Sequence, residues 1–117
     1  MKTILVIEDD KTIRDLFSDI LDTNEYRVVA YDHCIPIDAV IWLEPHLIIL
    51  DHYLTGQKGG EYCLELKKNL QSRSFPVLMF SAASRLKEIS KQGFADGYIE
   101  KPFDINKLKS MVKTLAL

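Results

Sequence analysis

The sequence predicts an α/β fold, five βα units forming one doubly wound (βα)5 parallel sheet. Three observations carry that expectation. Short apolar runs recur and stop at an acid or a small polar residue. Segments with apolar residues at helical spacing lie between them. The two kinds alternate along the whole chain, which implies parallel strands, right-handed crossovers and helices on both faces.

Ile4-Leu5-Val6-Ile7 reads as the first strand and ends at Glu8-Asp9-Asp10. The first helix follows, because Ile13, Leu16, Phe17, Ile20 and Leu21 recur at i, i+3, i+4, i+7 and i+8. Asp10 suits its N-cap, and acids there favour the positive end of the helix dipole. Three adjacent acids exceed what a cap requires. Asp22-Thr23-Asn24 breaks the helix, and Arg27 to Tyr31 is the second strand. Pro36 suits a first helical turn; Ile37, Val40 and Ile41 give the second helix its stripe, and Pro45 stops it.

Leu47-Ile48-Ile49-Leu50 is the third strand, apolar on both faces as in the middle of a parallel sheet. It stops abruptly at Asp51. His52 to Gly60 contains three glycines and reads as a tight exposed loop. The third helix spans Glu61 to Leu70, with Cys63, Leu66 and Leu70 inward. Pro76 to Phe80 is the fourth strand, ending at Ser81-Ala82-Ala83. The fourth helix covers Ser84 to Gln92, with Leu86 and Ile89 inward and Gly93 as its stop. Tyr98-Ile99-Glu100 is the fifth strand and leads to Lys101-Pro102-Phe103. Asp104 caps the last helix, whose stripe is Ile105, Leu108, Met111, Val112 and Leu115.

At 117 residues the chain is expected to be a single domain, with no output domain in this sequence. Hydrophobic residues make up 47% of it, which argues against disorder. The net charge of −2 gives no reason to expect nucleic acid or an anionic membrane as partner. Cys34 and Cys63 have no zinc spacing and read as buried or half-buried free thiols, consistent with a reducing compartment. No stretch approaches a membrane span or a signal peptide, so a cytoplasmic location is expected. His33, His46 and His52 show no ligand spacing. TGQKGG lacks the ending of a nucleotide-binding loop.

In open parallel sheets ligands bind outside the carboxyl ends of the strands. Sheets of this size commonly take the order 2-1-3-4-5, which makes strands one and three neighbours at the switch point. Glu8, Asp9 and Asp51 then converge on one crevice, flanked by Ser81 and Lys101. At about 4 Å and an effective dielectric near 20, each carboxylate pair costs roughly 4 kcal/mol. A proton or a cation must relieve that repulsion. An oxygen-only set on a rigid edge favours Mg²⁺. The Lys101 ammonium and the Ser81 hydroxyl suit phosphoryl oxygens. Together they describe phosphoryl transfer to a carboxylate, with Asp51 as nucleophile.

These residues resemble the CheY-like receiver domain of two-component response regulators. The resemblance covers the whole chain and rests on ILVIED (4–9), LDHYLTGQKGGE (50–61), Phe80-Ser81-Ala82 and Lys101-Pro102-Phe103. The flavodoxin-like order 2-1-3-4-5 is that family's own and so is not independent of the resemblance. The resemblance implies that Asp51 accepts phosphate from a histidine kinase or histidine phosphotransfer protein. It implies Mg²⁺ held by Glu8, Asp9, Asp51 and the backbone carbonyl of Tyr53. Ser81 and Lys101 would contact the phosphoryl group. Tyr98 matches the aromatic switch position, and the face of the fourth helix, fifth strand and fifth helix would meet a downstream protein or a second copy. Such a chain is a signalling domain rather than an enzyme. The Lys101–Pro102 bond is expected to be cis, and slow loss of phosphate is expected because Tyr53 and Ala83 offer no carboxylate or amide to hold attacking water and the Tyr53 ring can cover the phosphoryl group.

Thr55 stands where the family usually has proline, His52 and Tyr53 are bulky beside the acceptor, and the segment from Ser81 to Lys101 is short. Two other classes stay open at this point. One is a pseudo-receiver that binds partners without taking phosphate; the intact set of Glu8, Asp9, Asp51 and Lys101 speaks against it. The other is a phosphatase that forms an aspartyl-phosphate, which wants an acid where Tyr53 stands.

Overall fold

In the computed structural model, which describes residues 1–117, strands and helices alternate without exception. The elements are β1 (Lys2–Ile7), α1 (Lys11–Leu21), β2 (Tyr26–Tyr31), α2 (Ile37–Leu43), β3 (Leu47–Leu50), α3 (Gly59–Lys68), β4 (Val77–Ser81), α4 (Leu86–Gln92), β5 (Gly97–Glu100) and α5 (Ile105–Leu115). All strand pairs are parallel, and the order is β2-β1-β3-β4-β5. Ile7 stands beside Leu50 in the register of β1 with β3, so Glu8 and Asp51 leave the sheet side by side.

The pleat divides the core into two layers. Leu5, Ile7, Ile48, Leu50, Val77 and Met79 face α2, α3 and α4, where they meet Val40, Cys63, Leu66 and Leu86. Ile4, Val6, Leu47, Ile49, Leu78 and Phe80 face α1 and α5, where they meet Phe17, Leu21, Leu108 and Val112. Residues 4–7, 47–50 and 77–80 are buried on both faces of the sheet, which is why these runs are continuously apolar.

Local chemistry accounts for several boundaries. Asp10 caps α1 by accepting from the Thr12 N–H at 2.9 Å, as expected. Asp104 does the same for α5, accepting from Asn106 at 2.7 Å. Pro36 is not inside α2; it takes the extended cap position just before Ile37. Helix α3 begins at Gly59, two residues before the expected Glu61. Leu70 is not a core residue. Asn69 ends α3 and turns its side chain onto the Gln71 N–H at 2.8 Å, so Leu70 leaves the helix face and is 76% exposed. Ile105 also departs from its stripe, at 45% exposed, because it forms the first turn of α5 outside the buried layer.

Gly93 ends α4, as expected, but its own backbone is right-handed; the left-handed residue is Phe94, with φ 60°. The glycine is needed for close packing instead. A Cβ on Gly93 would lie 3.0 Å from the Gly60 carbonyl oxygen and 3.2 Å from Cys63 Cβ. Cys63 donates from Sγ to the Gly93 carbonyl at 3.2 Å. Burial pushes the Cys34 and Cys63 thiols up to about 11, so both stay unreactive.

Candidate functional site

Four of the expected site residues meet at the carboxyl edge between β1 and β3. Glu8, Asp9 and Asp51 each bring a carboxylate oxygen within 4.8 Å of the others. Glu8 is 2% exposed and Asp51 4%, while Asp9 is open to solvent. Lys101 reaches over from the end of β5. Its Nζ donates to Glu8 Oε1 at 3.0 Å and to Asp51 Oδ2 at 3.5 Å. The same ammonium lies 5.0 Å from the centre of the Phe80 ring. The peptide bond between Lys101 and Pro102 is cis, as expected.

The electrostatics follow from crowding. Burial, then the hydrogen bond and charge of Asp51, push Glu8 up to about 8, against the lowering effect of Lys101. Burial alone would lower Lys101. The hydrogen bond to Glu8 and the two carboxylate charges outweigh it and hold Lys101 above its ordinary value. Glu8 Oε2 is buried and has no hydrogen-bond partner. An unmatched carboxylate oxygen among carboxylates, with no nitrogen or sulfur donor in the group, fits a hard cation such as Mg²⁺.

The loop after Asp51 is built on a backbone contact. The Gly59 N–H donates to the His52 carbonyl at 2.9 Å. A Cβ on Gly59 would fall 1.9 Å from the Asp51 carbonyl oxygen, so no other residue fits without moving the backbone that carries Asp51. His52 Nδ1 accepts from the Gly60 N–H at 3.1 Å, and burial with the Lys58 charge lowers its pKa. Tyr53 is 51% exposed; its N–H donates to Asp51 Oδ1 at 3.3 Å, and Lys58 Nζ sits 5.4 Å from its ring centre.

Ser81 and Tyr98 occupy the expected elements but do not touch the acidic group. Ser81 is fully buried at the end of β4, where its Oγ accepts from the Ala83 N–H at 3.3 Å and its carbonyl from the Lys101 N–H at 3.0 Å. Tyr98 is half-buried on β5 and packs on the layer beneath α4. Ala83, expected to overhang the acceptor, is buried in that same layer.

Sequence reasoning missed Gly59, Phe80 and Arg14. Arg14 Nη1 donates to the carbonyl oxygens of Glu8 at 2.8 Å and Asp9 at 2.9 Å. The available signal was a cation one helical turn past the Asp10 cap. A backbone-to-backbone approach such as that of Gly59 leaves no signal beyond the glycine itself.

An open sheet with an acidic pocket and a lysine at its switch point defines a receiver-type signalling domain. The family model of the response regulator receiver domain matches residues 4–113. The chain belongs to that family. It is 35% identical over 119 residues to the DNA-binding dual master transcriptional regulator RpaA of Synechocystis sp., covering 98% of this chain and 49% of RpaA. It is 32% identical over 118 residues to the phosphate regulon transcriptional regulatory protein PhoB of Escherichia coli, covering 97% of this chain and 51% of PhoB. The chain thus spans about half the length of the curated relatives it matches. The receiver domain of a histidine kinase from Syntrophus aciditrophicus matches with a TM-score of 0.85 and 30% identity, over 99% of this chain and 90% of that one. The receiver domain of a Pseudomonas aeruginosa sensor histidine kinase, solved with magnesium in its active-site cleft, shares the fold with a TM-score of 0.87 at 20% identity, over 98% of this chain and 97% of that one. No helix of the chain is long and apolar enough to cross a membrane.

Proposed function

We propose that the chain receives a phosphoryl group on Asp51 from a histidine kinase or histidine phosphotransfer protein, as a step in cytoplasmic two-component or phosphorelay signalling. The observation that carries this reading is the set of three carboxylates within 4.8 Å, two of them bonded by one lysine. A carboxylate oxygen of Asp51 attacks phosphorus, and the bond from phosphorus to the donor histidine nitrogen breaks with its electron pair leaving on the imidazole. Lys101, already on Asp51, is placed to follow the phosphoryl oxygens and offset their charge. Glu8, Asp9, Asp51 and the Tyr53 backbone carbonyl would hold Mg²⁺, which supplies further positive charge against those oxygens.

Ser81 would orient the phosphoryl group. As it moves, Tyr98 would bury its ring in the space released, a population shift driven by contacts that exist only with phosphate bound. The face of α4, β5 and α5, with Lys107 beside Tyr98 and Glu100, would meet a downstream protein or a second copy of the chain; Lys109 and Lys113 instead line the groove between α5 and α1. Tyr53, half exposed beside Asp51, would offer no carboxylate or amide to hold attacking water, which suits a long-lived phosphoryl state.

The test is labelling by a small phosphodonor with Mg²⁺, read by intact mass. One stable phosphoryl group per chain is expected, and none on Asp51→Asn or in excess chelator. Full labelling of Asp51→Asn would refute the assignment. Repeated turnover of the donor would favour a phosphatase, and no labelling of the natural chain a pseudo-receiver.

A further inference from the structure

Arg14 lies within reach of an acidic loop yet pairs with none of its carboxylates. Both of its bonds go to backbone, to the carbonyl oxygens of Glu8 and Asp9. A guanidinium beside carboxylates ordinarily forks onto one of them, which here would consume oxygens that a cation needs. Lys101 does just that at Glu8 Oε1. Arg14 instead grips the two consecutive peptide units whose side chains enter the pocket.

Its neighbours complete the hold. The Glu8 N–H donates to the Tyr31 carbonyl at 3.0 Å. The Arg14 N–H donates to the Asp10 carbonyl at 3.0 Å, and Asp10 caps α1. Fixing these peptide planes fixes the directions in which the Glu8 and Asp9 side chains leave the backbone.

We infer that Arg14 is a positioning residue for the cation pocket: by holding the Glu8 and Asp9 carbonyls it sets the affinity for Mg²⁺ without touching the ion. The inference rests on the proposed reading that this pocket takes Mg²⁺. Two effects oppose each other here. The guanidinium charge repels a divalent cation, so losing the charge alone would tighten binding. Losing the grip frees the ligand-bearing backbone, and partners behind metal ligands typically contribute about 10- to 100-fold in affinity. Screening weakens the charge effect at a solvent-facing edge, so the grip decides the sign.

The experiment is Mg²⁺ titration calorimetry on the natural chain, Arg14→Ala and Arg14→Lys, at fixed pH and ionic strength, with melting temperatures taken in chelator. Arg14→Ala is expected to bind Mg²⁺ about tenfold or more weakly. Arg14→Lys keeps the charge and a shorter donor and should recover part of that loss. Unchanged or tighter binding in Arg14→Ala, with only a lowered melting temperature in chelator, would overturn the inference and leave Arg14 a purely structural residue. If Arg14→Ala does not fold, Arg14→Lys decides: weaker binding than the natural chain upholds the inference, and equal or tighter binding overturns it. A natural chain that binds no Mg²⁺ would instead overturn the pocket reading, and this inference with it.

Discussion

Leaving β1, the backbone is held from three sides, although Glu8 Oε2 has no partner. Tyr31 takes the Glu8 N–H, Arg14 takes the Glu8 and Asp9 carbonyls, and Asp10 caps an eleven-residue helix. Leaving β4, it is held far less. Ser81 accepts weakly from the Ala83 N–H at 3.3 Å, and α4 is seven residues long with no side-chain cap. The Ser90 hydroxyl on α4 is buried without a partner, and Phe94 just past the helix is left-handed. The same crevice therefore has a fixed wall and a loose one. Ligands in a preorganised site need the first, and a two-state readout needs the second. The acidic residues sit on the fixed wall, while Ser81 lies where the loose one starts.

The largest expected effect probes the strand beside the fixed wall, at Asp51. Gly59→Ala drives a methyl group into the Asp51 carbonyl and should destabilise the fold by about 3 kcal/mol in chemical denaturation. The same change at Gly56 meets no atom within 4 Å, although its φ of +87° adds some strain. Equal losses at the two positions would remove the backbone contact from the account.

The next effect concerns protons stored on the fixed wall. Burial raises Glu8 from 4.5 to about 8. The folded chain then binds the extra proton, so this contribution to stability is present below 4.5 and lost as pH rises through about 8. On the proposed reading of the pocket, Mg²⁺ would have to displace that proton. Its affinity should rise by up to about tenfold per pH unit and level off above the shifted value. Calorimetry in buffers of different ionisation enthalpy would detect the released proton near neutral pH. A pH-independent affinity between pH 6 and 8 would contradict the shift.

The smallest effects compare the two helices directly. Asp10→Ala removes a working cap and should cost about 1 kcal/mol. Ser90→Ala removes a buried hydroxyl that has no partner and should be neutral or stabilising by up to about 1 kcal/mol. Denaturation midpoints with matched slopes would measure both. Equal costs would erase the distinction between the walls.

The sequence made the fixed wall more legible than the loose one. Apolar runs ending at Glu8 and Asp51 located the edge, because a strand buried on both faces must be apolar until it meets solvent. The period of Phe17 and Leu21 and the cap at Asp10 defined α1 to within a residue or two. Leu70 and the start of α3 escape the pattern, because Asn69 and two glycines act through local backbone geometry that periodicity does not register, and Ile105 escapes it as the first residue of α5. The grip of Arg14 was invisible for a related reason: it binds carbonyls, which every residue has.

Amide hydrogen exchange, with and without a small phosphodonor and Mg²⁺, tests the two-wall account most directly. Peptide mass should place one phosphoryl group in the fragment containing Asp51. Exchange should change across residues 81–100, which hold Ser81, α4 and Tyr98, and stay the same in α1 beyond its first turn. A phosphoryl group elsewhere, equal changes in α1 and α4, or changes confined to residues 52–60 would contradict it.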